Sequence, residues 1–267
     1  MLANVATFSV SKRGCPMEEC EDASWVSPDG VGFGEVEGKS LRVVVADGAS
    51  ESLLASRWAK RLSSTFGLAA SPTLTRPGFV AAYRVAVNEW TSEVADYIAE
   101  REARDAPIQW FEEPGLKKGA HATIIAVEFL EGRGEAPPSW RAVAVGDSCL
   151  FQVRNERLHA SFPMQDEDEF SYQPPLLSSR GGENAVVSRH VTLSSGTWQH
   201  DDSFYVVTDA LAVWFLRSAH AGGRPWVPLR DLNTSDFDID FETWVNTQRD
   251  DGTLHDDDTT LVRVDLY

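Results

Sequence analysis

Apolar and polar positions follow two rhythms along this chain. Short runs rich in β-branched residues predict strands: "LRVVVA" (41–46), "HATIIAVEFLE" (121–131), "WRAVAVGDSCLFQVR" (140–154), "SFYVVTDA" (203–210) and "TTLVRVDL" (259–266). Two longer segments carry the 3.6-residue rhythm of amphipathic helices. In "SESLLASRWAKRLSSTFG", Leu54, Ala55, Trp58, Ala59, Leu62 and Phe66 fall on one stripe, and Ser50 is placed to cap the start. In "GFVAAYRVAVNEWTSEVADYIAEREAR", Phe79, Tyr83, Ala86, Val87, Trp90, Val94, Tyr97 and Ile98 do the same. Shorter helical candidates are "LAVWFLRSAH" (211–220) and "FETWVNTQRD" (241–250). Strands and helices come in clusters, with hairpin-like strand pairs. That predicts an α+β fold with antiparallel sheets, not a doubly wound parallel sheet.

Between these elements lie three loop-like stretches: 104–119 with two prolines, the hairpin connection 131–140, and the acidic then Pro/Gly-rich 164–184. The last is too long for a routine connection and is expected to be functional or mobile. No repeat or low-complexity linker interrupts the chain, so 1–267 reads as one domain. The formal net charge of −17 argues against nucleic-acid and anionic-membrane partners. No apolar run approaches the roughly 20 residues of a membrane span, and "MLANVATFSVSKRG" lacks the features of a signal peptide. The three cysteines, Cys15, Cys20 and Cys149, are odd in number and form no CxxC, which fits a reducing compartment. A cytoplasmic protein is expected. Nucleotide-binding glycine motifs are absent from the sequence, and so is a C-x5-R loop for thiol-based phosphoryl transfer.

The acids change the picture. Asp47 ends an apolar strand, Asp147 sits inside "AVAVGDSCLF", and Asp209 ends "FYVVTDA". Asp256, Asp257 and Asp258 precede the last strand, and Glu21 and Asp22 lie in "ECEDAS". No lysine or arginine lies within three residues of Asp47, Asp147 or Asp209. For any one of them alone, capping a turn or a helix start is the ordinary explanation. As a set at strand edges they suggest convergence. Converging carboxylates repel one another, and a hard divalent cation such as Mg²⁺ or Mn²⁺ resolves the repulsion.

In order and spacing, "CEDA" (20–23), "VADGAS" (45–50), "VGDSCL" (145–150), "VTDALA" (207–212) and "HDDDTTLVRV" (255–264) resemble the motifs of the PPM, or type 2C, metal-dependent protein phosphatases. Each piece is short, but five in order cover the chain from about Ala6 to Tyr267. The resemblance implies two antiparallel sheets packed face to face with helices outside. It also implies two Mn²⁺ or Mg²⁺ ions, with a weaker third in some members. Asp47 would bridge the pair, with Glu21 and the Gly48 carbonyl on one ion and Asp209 and Asp257 on the other. Asp22 would hydrogen-bond metal-bound water, and Asp147 would help hold the third ion. The implied reaction is attack of a metal-bridging hydroxide on a phosphoserine or phosphothreonine of a protein substrate, catalysed by a monomer.

Several positions depart from the family pattern. Ala49 stands where a histidine sometimes supplies the leaving-group proton, and Ala210 and Val213 replace a common glycine and acid. Met17 stands where an arginine often grips phosphate; Arg13, or Lys12 beside it, is the expected substitute. These departures leave a second reading, a weak or inactive PPM-fold regulatory or scaffold module. A third is an unrelated acidic domain whose strand-end acids are only caps. The loop 164–184 falls where family members carry a mobile flap.

Overall fold

A computed structural model describes the chain except at residues 29, 31, 70–73, 172 and 233–236, with the backbone alone at 237–239. In chain order the strands are β1 (Leu2–Val10), β2 (Ala23–Val26), β3 (Phe33–Glu37), β4 (Ser40–Ala46), β5 (His121–Ala122), β6 (Ile124–Leu130), β7 (Ser139–Val145), β8 (Cys149–Arg154), β9 (Arg157–Phe162), β10 (Leu177–Ser178), β11 (Thr192–Thr197), β12 (Asp202–Val207) and β13 (Thr259–Leu266). The helices are α1 (Ala55–Leu68), α2 (Arg76–Ala103), α3 (Glu113–Lys118), α4 (Asn184–His190), α5 (Asp209–His220), α6 (Trp226–Asp231) and α7 (Phe237–Asp250). One sheet runs β3-β1-β13-β12-β8-β9 and the other β11-β7-β6-β4-β2, with β5 and β10 as a separate short pair. Every pairing in both large sheets is antiparallel.

The apolar runs fix the layers because the central strands are apolar on both faces. On β4, Leu41, Val43 and Val45 point into the layer between the sheets, while Val44 and Ala46 point outward to α1. β6 divides the same way: Ile125, Val127 and Phe129 go inward, Ile124 and Ala126 outward. Phe129 and Phe204 meet edge to face across the inner layer at 4.7 Å. A second core forms where Trp58, Leu62 and Phe66 of α1 and Phe79, Tyr83 and Trp90 of α2 cover one sheet. A third holds Leu211 and Phe215 of α5, Trp226 and Leu229 of α6, and Phe241 and Val245 of α7 on the other. The α+β expectation with helices outside is thus met as helix, sheet, sheet, helix.

Several local expectations are revised. The run 140–154 is two strands in different sheets: β7 ends at Val145, β8 begins at Cys149, and the chain crosses between sheets at 146–148. Gly146 makes the crossing possible. Its φ is +104°, and a Cβ there would lie 2.4 Å from the Thr123 side chain. The run 121–131 breaks at Thr123, whose N–H donates to the Asp47 carbonyl at 2.8 Å. Ser50 does not cap α1. That helix starts at Ala55 after Leu54 in the left-handed region, and Ser50 turns to Glu21 instead. On α2, Val94, Tyr97 and Ile98 are only half-buried. There Arg57 and Arg61 of α1 pair with Glu93 and Glu89 at 3.2 and 3.0 Å. Within the stretch 164–184, Met164 and Phe170 pack on the α5 side, and His220 Nδ1 lies 2.9 Å from Glu167 Oε2. Among the described residues no helix is long and apolar enough to cross a membrane.

Register gathers the strand ends. Val10 pairs with Thr259, Val207 with both Leu261 and Cys149, and Ala46 with Ala23. The acids flanking these residues therefore lie at one end of the sandwich. Gly146→Ala should disturb that end. It forces a side chain into a left-handed backbone against Thr123, so a loss of more than about 1 kcal/mol is expected in chemical denaturation. Thr123→Gly, which clears the space, should recover only the steric part.

Candidate metal centre

Glu21 and Asp22 immediately precede β2, and Asp47 and Gly48 follow β4. Asp147 sits in the sheet-to-sheet crossing, Asp209 opens α5, and Asp257 and Asp258 lead into β13. Each of these acids sits at or near the end of an apolar strand, so the sheet ladders fix where its backbone lies.

The carboxyls sense one another. Asp47 is held well above the usual carboxylate range, first by burial and then by the charges of Asp22, Asp209, Asp257 and Asp147. Asp22 is likewise raised, by burial and by Asp258 and Asp209, against hydrogen bonds from Thr260 and Thr208. Burial and Asp209 push Asp147 up to about 7. Burial and Asp257 push Asp209 up to about 6, although it begins a helix where negative charge is favoured. Asp257 is raised too, chiefly by burial, with Asp258 and Glu21 adding and Lys12 opposing.

The acids converge without closing into a single shell. Among the described residues, the one trio of His, Cys, Asp or Glu with ligand atoms all within 4.8 Å is Asp166, Glu167 and His220, on the surface.

Several side chains that periodicity could not assign hold this arrangement. Asp258 is 4% exposed and joins two segments. Its Oδ1 accepts from Lys12 N–H at 2.8 Å and its Oδ2 from Glu21 N–H at 2.6 Å. Thr208 donates to Asp22 Oδ2 at 3.0 Å and accepts from Thr260 N–H at 2.9 Å. Buried Arg249 of α7 donates to the carbonyls of Ser11 at 3.1 Å and Asp257 at 2.5 Å. The signal for Asp258 lay in the run Asp256–Asp258, and that for Thr208 in its place before Asp209. Arg249 gave none, because its bond to the Ser11 carbonyl spans 238 residues and periodicity does not report such a contact.

Lys12 and Arg13 part company. The chain turns after β1, the Cys15 N–H donating to the Lys12 carbonyl at 3.2 Å, and the two side chains leave the turn in different directions. Lys12 Nζ lies 2.9 Å from Glu21 Oε2 and 3.0 Å from Ser50 Oγ. Arg13, partly exposed, pairs with Asp250 and donates to the Asn246 carbonyl at 3.2 Å, on α7. Met17 is exposed. Among the described residues, Lys12 is the one lysine or arginine whose side chain hydrogen-bonds to a carboxylate of Glu21, Asp22, Asp47, Asp147, Asp209, Asp257 or Asp258.

These residues fit hard divalent cations. Asp22 Oδ1 is buried with no hydrogen-bond partner. The donors are oxygens, and their charge far exceeds that of one lysine. Gly48 leaves room at the centre: a Cβ there would lie 2.9 Å from the carbonyls of Ala55 and Glu21, so only glycine lets these backbones meet. Cys20 and Cys149 are buried, and burial raises both thiols, which leaves them poor nucleophiles.

The sequence matches no protein-family model, and no curated protein matches it. Solved structures supply the likeness. The Mycobacterium tuberculosis serine/threonine phosphatase PstP/Ppp aligns with a TM-score of 0.56 at 14% identity, over 100% of this chain and 99% of that one. The photosystem II phosphatase PBCP gives 0.56 at 13%, over 99% of each chain. The catalytic domain of PstP in complex with two manganese ions gives 0.50 at 13%, over 98% of each. The fold is that of the PPM-type phosphatases. At such identities the likeness is one of fold, and the chemistry must be argued from this chain's own side chains.

Repulsion among the acids has a measurable cost. An amide mimics a protonated carboxyl, so Asp47→Asn should melt higher than the native chain in chelator, by about 2–4 °C for each 1 kcal/mol relieved. Mn²⁺ should raise the melting temperature of the native chain and raise that of the variant far less. Calorimetry with and without EDTA checks both; a variant that melts lower in chelator would contradict this account of the centre.

Proposed function

We propose that this chain is a metal-dependent phosphoprotein phosphatase acting on phosphoserine and phosphothreonine. The observation that carries the reading is the gathering of repelling acids, with one lysine among them, at the strand ends of a PPM-type fold. Asp47 would be shared between two Mn²⁺ or Mg²⁺ ions, with Glu21 and the Gly48 carbonyl on one side and Asp209 and Asp257 on the other. Asp147, beside Asp209, would help hold a weaker third. Bound ions of this class supply a water that is nucleophilic near neutral pH and positive charge for the phosphoryl oxygens.

The protein's own part is orientation and proton handling. Thr208 fixes Asp22 through Oδ2, leaving the buried Oδ1 to accept a hydrogen bond from water in the site. Asp258 and Arg249 hold the segments that carry Glu21 and Asp257. The placement of Arg13 against Asp250 supports a role in fastening β1 to α7 rather than in gripping phosphate. The partner is a phosphoprotein, bound by a monomer. The charge of −17 disfavours acidic phosphopeptides and nucleic acid alike.

The absence of an arginine at Met17 favours a second reading, a PPM-fold module that binds phosphoproteins without turning them over. One assay separates the two. Hydrolysis of an aryl phosphate and of a phosphothreonine peptide should require Mn²⁺ or Mg²⁺ and stop in chelator. Asp47→Asn and Asp209→Asn should each lose at least about a hundredfold in kcat/KM, well over 2 kcal/mol of transition-state stabilisation. Cys15→Ser, Cys20→Ser and Cys149→Ser should leave it nearly unchanged, and Arg13→Ala should change it by less than about threefold, as expected of an exposed ion pair. Metal binding without turnover would favour the module. Turnover that survives chelation would end the metal reading.

A further inference from the structure

Lys12 holds a position that the proposed chemistry leaves unexplained. Its ammonium and the Ser50 hydroxyl both donate to the same oxygen, Glu21 Oε2. The ammonium also lies 3.0 Å from Ser50 Oγ, so lysine, serine and glutamate form a closed triangle. The roots of the pair are fixed by one carboxylate, since Asp258 accepts from the backbone N–H of both Lys12 and Glu21. The charges of Glu21, Asp258 and Asp257 all favour the ammonium where it sits. Its side chain is 30% exposed against 16% for Glu21, so a path to solvent stays open on the lysine side.

We propose that Lys12 is a tethered cation that occupies Glu21 in the ion-free chain and is displaced when a divalent ion takes that carboxylate. This rests on the assignment of Glu21 as a metal ligand. The argument is one of shared acceptors and like charges. Glu21 Oε2 already accepts two hydrogen bonds, so a cation bonding to that oxygen must break at least one of them. An ammonium about 3 Å from the same oxygen would stand within about 5 Å of the incoming ion, and the two repel. A four-carbon stem on a fixed backbone lets the ammonium swing away without leaving the cleft. Lys12 thus balances part of the centre's negative charge while no ion is bound and sets a threshold that an ion must exceed at this position. An ordinary surface ion pair would do neither, because neither partner would border a cluster of acids.

The test reads metal affinity, not turnover. In calorimetric titration with Mn²⁺, the native chain gives the reference affinities. Lys12→Met keeps the length of the stem and removes the charge, and should bind one ion about tenfold more tightly. Lys12→Arg keeps the charge and should stay within about threefold of native. Ser50→Ala frees the ammonium from one anchor and should tighten the same ion by a smaller factor. In the native chain, Mg²⁺ should shift the Lys12 ε-methylene and ammonium resonances as the ion pair opens. Native binding of Mn²⁺ with affinity unchanged or weakened in Lys12→Met would overturn the exchange and leave the metal reading standing. Lys12 resonances that ignore saturating Mg²⁺ would overturn it equally. A native chain that binds no Mn²⁺ would overturn both.

Discussion

Like charges held close together at one end of a sandwich are the constraint on which the rest of this molecule depends. Each carboxyl of the set would be more stable in water, far from the others. What holds them is the backbone. Asp47, Asp147, Asp209 and Asp257 sit beside strands buried on both faces, and those strands cannot withdraw without opening a core. The hydrophobic layers therefore supply the free energy that the acids consume, and the raised carboxyl pKa values are the trace of that transfer.

The polar ties around the centre serve the same end. Asp258, Thr208 and Arg249 bind backbone and side chain so that the acids keep their places although they repel. Asp258 reaches Lys12 and Glu21, Thr208 reaches Asp22 and Thr260, and Arg249 reaches Ser11, each more than 50 residues away. Such ties fasten separate parts of the chain at the site itself. A centre assembled this way is stiff where the acids are rooted. Lys12 differs: its ammonium stands at the tip of a long side chain that is 30% exposed.

Much of this was legible in the sequence. The strand at 259–266, the helices near 55–68 and 76–103, and the acids at strand ends all follow from period and from the cost of placing an acid beside a buried strand. What stayed hidden has physical causes. Periodicity does not report which sheet a strand joins, so 140–154 read as one strand although Gly146 sends it from one sheet to the other. Edge strands such as β3 and β11 are half-polar and short, and left little signal. Ser50 looked like a helix cap because local rules favour that use, whereas a distant glutamate claimed it. Arg13 and Lys12 are chemically alike and adjacent. Only the turn that follows β1 decides which of them meets the acids.

The position of β13 has a consequence for how the molecule comes into being. It lies between β1 and β12, so the middle of that sheet is filled by a strand made some 250 residues after β1. Until then β1 and β12 each present an unpaired apolar edge, the kind of edge that recruits foreign strands. Asp257 and Asp258 arrive just ahead of that strand. During synthesis the chain thus passes through an interval in which much of its sandwich exists while its cluster of acids is incomplete. A chain in that interval holds an open sheet, and its acids cannot all gather before β13 is seated.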